Sequence, residues 1–141
     1  MNCKFIKYFF IAIALTMPAL LLAQEGPKSE EEMEKELYEK LQDKVESLQQ
    51  SLKLEDWQVF YVDSILTHDT FAMRDEMSAL QKKGVSNYDI YVDVQDKWDE
   101  NIYNAIHSVL SEEQWAKYLK EGAAKSKKAR DKRAEKKAGK K

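Results

Sequence analysis

Two histidines, His68 and His107, and a run of carboxylates, Asp89, Asp93, Asp96 and Glu100, are the side chains of this 141-residue chain whose types could do metal or acid–base chemistry. Their spacing argues against it. Neither histidine has a carboxylate three residues before it, so the Glu-x-x-His pattern of di-iron helical bundles is absent. A zinc site would have to recruit carboxylates from elsewhere, because the single cysteine, Cys3, lies ahead of the apolar N-terminal run. His68 falls on an apolar stripe and reads as a packed residue; with His107 it is at most a weak metal candidate. Carboxylates three and four apart on one helix repel and do not converge on a cation, so the acidic run reads as a solvated ridge. No glycine-rich phosphate loop, nucleophile elbow or His-Glu-x-x-His motif occurs. The expectation is a protein that is not an enzyme and uses no cofactor.

The elements that carry these residues are helical. Between Ser29 and Gly122 there is no proline and one glycine, Gly84, which reads as all-α. Ser29 with Glu32 forms a capping box, and Met33, Leu37, Leu41, Val45, Leu48 and Leu52 come after it at intervals of three and four, predicting a first helix to about residue 51. A second helix is predicted from about Asp56 to Lys82. Its apolar residues form two stripes: Trp57, Tyr61, Ile65, His68 and Ala72 on one, Val62, Leu66, Met73, Met77 and Leu80 on the other. A helix of a small bundle needs one stripe of about 100°, so the surplus marks a candidate client or dimer surface, with Trp57, Tyr61, Val62, Ile65, Leu66, Met73 and Met77 as its residues. The alternative is that both stripes are covered within the chain. Ser86 with Asp89 predicts a third helix from about 87 to 109, pairing with the second as a hairpin.

The two ends of the chain differ from its body. Lys4 and Lys7 precede an apolar run ending at Ala23, which reads as a signal peptide over residues 1–23, cleaved after Ala23 and delivering the protein to the periplasm. An uncleaved anchor is the competing reading, although the run is short for a bilayer span. Position 24 is Gln, so no lipid anchor is expected. Residues 24–141 contain no cysteine, hence no disulfide and no thiol nucleophile, and are numerous enough for one domain. Residues 24–121 carry 11 basic and 23 acidic side chains, a formal −12, whereas residues 122–141 carry 10 basic and 2 acidic, a formal +8. Gly122 is placed as a helix C-cap dividing a helical body, 24–121, from a basic low-complexity tail, 122–141. Like charges four apart (Lys128/Lys132, Lys132/Lys136, Arg133/Lys137) predict a tail that is disordered or transiently helical when free. It suits an anionic lipid or lipopolysaccharide surface better than nucleic acid, since no aromatic residue stands among its lysines to stack on bases.

Two helix starts stand about 55 residues apart. In Leu110-Ser111-Glu112-Glu113-Gln114, a Ser111 N-cap accepts from the Gln114 amide, the Gln114 side chain reaches back, and Leu110 staples to Trp115. Leu54-Glu55-Asp56-Trp57-Gln58 is a weaker copy: Glu55 is a poorer N-cap, and capping by Asp56 would take Gln58 out of the reciprocal position. With export, an all-α pattern and almost no cysteine, this pair resembles the Leu-Thr-x-x-Gln helix starts of the Spy/CpxP family over most of residues 30–121. The resemblance implies a long-helix hairpin of about four helices that dimerises into a curved cradle. It also implies an ATP-independent chaperone-like holdase that binds unfolded or stressed envelope proteins through an apolar surface. Other members imply the alternatives, a regulatory module of an envelope stress sensor or a metal-sensing protein. A purely structural, tail-tethered envelope protein is a further alternative.

Overall fold

The computed structural model describes residues 28–139, which are helical with no strand among them. The elements are α1 (Glu30–Leu52), α2 (Asp56–Lys82), α3 (Tyr88–Val109), α4 (Glu112–Tyr118), a π-helical turn (Leu119–Ala123) and α5 (Ala124–Ala138). The expected signal peptide and cleavage site fall outside the described residues, as do Cys3, Lys140 and Lys141. The described residues fall into two units that divide between Met33 and Glu34. In the first, Ser29 and Glu32 form the expected box: Ser29 N donates to Glu32 Oε2 at 2.9 Å and Glu32 N to Ser29 Oγ at 3.2 Å. No described helix is long and apolar enough to cross a membrane.

The second unit is built on the α2–α3 hairpin, its most extensive helix pair. Leu41, Val45, Leu48 and Leu52 of α1 meet Val62 and Leu66 of α2, with Ile106 of α3, Trp115 of α4 and the connecting Leu54 and Leu110 completing the core. Ile106 and Val62 are each 1% exposed. Polar ties fix the rows: Gln42 donates to Asp63 at 2.8 Å, and Glu76 accepts from the Trp98 indole at 2.7 Å and from Lys97. Those two donors hold the Glu76 carboxyl below its ordinary range.

Helix ends obey local chemistry. α1 stops where Lys53 takes φ +54°, a left-handed conformation that lets Leu54 N reach back to Gln49 O at 3.1 Å. α2 stops the same way through Gly84 at φ +73°, with Val85 N on Leu80 O at 3.1 Å. The N-cap of α3 is Asn87 rather than Ser86, because the Asn87 side chain accepts from Asp89 N at 3.0 Å.

The basic segment departs from expectation. Gly122, at φ +126°, kinks the chain as a helix terminator would, yet the chain continues through residues 124–138 as α5. The expected disordered or transiently helical tail is corrected to a helix, and the solvated acidic ridge to one that α5 pairs with at Asp93, Asp96 and Glu100, while Asp89 stays exposed. Like charges within the segment do repel, but α3 supplies the opposite charge that outweighs them.

Candidate functional site

The two motif glutamines meet. Gln58 Nε2 donates to Gln114 Oε1 at 2.7 Å, and Gln114 Nε2 to Gln58 Oε1 at 3.0 Å. Each amide also does its local work, Gln58 Oε1 accepting from Glu55 N and Gln114 Oε1 from Ser111 N, both at 3.0 Å. Each then reaches across to the end of the other's preceding helix. Gln58 Nε2 donates to Val109 O at 3.0 Å, and Gln114 Nε2 lies 3.4 Å from Leu52 O. Glu55 is therefore the N-cap of α2, and the shift to Asp56 does not occur. Ser111 caps α4, accepting from Gln114 N at 3.3 Å. Leu54 and Leu110 are buried beside the pair, and Gln58 is 4% exposed. This is a joint between two helix turns; its polar atoms are consumed internally and offer nothing to a ligand.

The candidate surface on α2 splits. Trp57 and Tyr61 are each 52% exposed and meet edge to face at 6.2 Å between ring centroids; Phe60, outside both predicted stripes, is 67% exposed and meets Tyr61 at 5.6 Å. The Trp57 indole N–H donates to Glu55 Oε2 at 2.7 Å, so its polar group is satisfied while the ring faces water. Val62 and Leu66, placed with the candidate surface, are corrected to core residues. Ile65 packs partly buried against them, and Met73 and Met77 are partly buried farther along α2. Phe60 was legible as the residue three beyond Trp57 on the same arc.

The third feature is the seam between α3 and α5. Arg133 forms a two-point pair with Asp96, its Nε 2.8 Å from Oδ2. Arg130, 7% exposed, gives Nε and Nη2 to Glu100 Oε2 at 3.2 and 3.1 Å and sets its guanidinium 5.5 Å from the Tyr103 ring. Lys127 lies 3.5 Å from Glu100, and Lys137 pairs with Asp93. The Arg133 hydrogen bonds pull the Asp96 carboxyl below its ordinary range, whereas burial pushes Asp99 up against the pull of Arg130. Asp99 opens onto a shallow cleft of about 300 Å³ with Tyr103, Tyr118 and Arg130.

The histidines do not converge with one another or with a carboxylate cluster. His68 is exposed rather than packed, its Nδ1 2.8 Å from Asp69 Oδ1. His107 stacks on Trp115 with centroids 4.1 Å apart. Among the described residues no group of three or more His, Cys, Asp or Glu is placed to hold a metal ion. No protein-family model, curated protein or solved structure matches the chain.

Proposed function

We propose that this protein is an ATP-independent holdase of the cell envelope, similar to the Spy/CpxP proteins, with a binding rather than a catalytic role. The observation that carries the reading is the Trp57-Phe60-Tyr61 cluster. Three touching aromatic rings, each at least half exposed, stand on the first two turns of α2, where the Gln58–Gln114 joint and the core behind it hold the backbone. Exposed aromatic clusters are costly for solubility, and a rigid one flanked by exposed acidic side chains, here Glu55 and Asp56, suits weak capture of apolar segments in unfolded chains. Surrounding charge adds reach to the encounter and keeps the complex reversible. The paired helix starts and the exported N-terminal pattern support the same reading.

The test is light scattering of an unfolding client mixed with the purified protein. Suppression at equimolar ratio, weakening as salt rises, is the expected result. No suppression at tenfold excess removes the reading, and capture of one saturating partner from the envelope in place of many clients would favour the regulatory alternative.

A further inference from the structure

The fold sorts the basic residues of α5 into two rows. Lys127, Arg130, Arg133 and Lys137 face α3 and are occupied by Asp93, Asp96 and Glu100. Lys125, Lys128, Lys132 and Lys136 lie roughly 140° around the helix at about 3.6 residues per turn, on the opposite side. All four are exposed and make no ion pair or hydrogen bond among the described residues. They succeed one another at steps of three, four and four residues, a row roughly 16 Å long at about 1.5 Å per residue. Neighbouring like charges four apart cost a free helix stability, yet here the inner row anchors the helix and forces the outer row to stay aligned.

We propose that this outer row is a docking strip for an anionic phospholipid bilayer. Charge complementarity and shape select that occupant. A straight row of ammonium groups on a convex rod meets a flat sheet of phosphate along its whole length. The residues of α5 that flank the row include alanines and no large apolar side chain, so contact is peripheral and electrostatic, without insertion. The absence of any aromatic residue on α5 leaves no platform for stacked bases, which disfavours single-stranded nucleic acid. The acidic remainder of the chain is repelled by the same surface, so α5 is the side that approaches. This inference goes beyond the holdase reading and stands or falls without it.

The experiment uses the full chain, purified as the cell delivers it, and vesicles of phosphatidylcholine with and without phosphatidylglycerol, read by co-sedimentation at low salt. Binding is expected to the anionic vesicles, with little to the neutral ones, and is expected to be lost at high salt. Each lysine near such a surface is worth roughly a fivefold change in partition, so replacing Lys125, Lys128, Lys132 and Lys136 by alanine should lower it by roughly several hundredfold. A control carrying alanine at the exposed Lys40, Lys82, Lys83 and Lys120 has the same net charge and should retain binding. Both variants share the N-terminal segment, so the difference between them reports α5 alone. Equal binding by the two variants, equal binding to neutral vesicles, or displacement of the vesicles by a single-stranded oligonucleotide would each overturn the proposal.

Discussion

The side-chain amide of Gln58 makes four hydrogen bonds and that of Gln114 five, and the physics of an unsatisfied buried amide sets what their loss costs. Replacing either by alanine strands the partner amide and a helix-end carbonyl, so each should cost about 2 kcal/mol in urea unfolding. Because the two share one bond pair, the double variant should cost clearly less than the sum of the singles. Additive losses would mean that the pair is not coupled. Lys53 gives the opposite sign: a side-chain residue at φ +54° is strained where glycine is not, and Lys53→Gly should raise stability by up to about 1 kcal/mol. The capping role of Gln114 was legible from Ser111 three residues before it; its bond to Gln58 was not, because nothing in two separate five-residue patterns states that their helix turns are neighbours.

At the scale of elements, helix bounds were readable because the apolar periodicity is strong and the breakers are few. The expected 56–82 coincides with α2, and the expected starts and ends of α1 and α3 fall within about a residue of those found. The misreading of residues 124–138 has a different origin. Helix formation there depends on carboxylates about 30 to 44 residues earlier in the chain, which no local sum of like charges includes. The acidic ridge and the basic segment were both visible; their pairing was tertiary information. The seam also sets a pH dependence. The folded-state value of Asp96 is lowered, so its pair with Arg133 contributes fully above the ordinary aspartate range and is lost only as pH falls through the lowered value. Asp99 is raised, so its burial penalty is relieved as pH falls toward and through its higher value. Mild acidification should therefore leave α5 docked, and stronger acid should release it. Hydrogen exchange should show protection of residues 124–138 lost below the usual carboxylate range while α2 stays protected. Arg133→Glu should produce the same selective loss near neutral pH. Protection lost together in α2 and α5 would contradict a separable seam.

Across the whole molecule, the formal −2 conceals an arrangement with three consequences: a joint that fixes helix turns, a basic helix neutralised on one side, and an aromatic cluster left uncovered. The two apolar stripes of α2 do not divide as periodicity alone predicts, since Val62 and Leu66 point into the core while Phe60 joins Trp57 and Tyr61 outside. Burial, unlike periodicity, depends on which neighbours arrive. Serine at positions 57, 60 and 61 removes the exposed rings without opening the core, so the unfolding midpoint should change little, within about 0.5 kcal/mol per site for exposed positions. The most direct measurement sets that triple variant beside the unaltered protein in the scattering assay, with equal stability established first. The unaltered protein is expected to suppress client aggregation at equimolar ratio, and the variant, though folded, is not; equal suppression by both would remove the aromatic cluster from the binding surface.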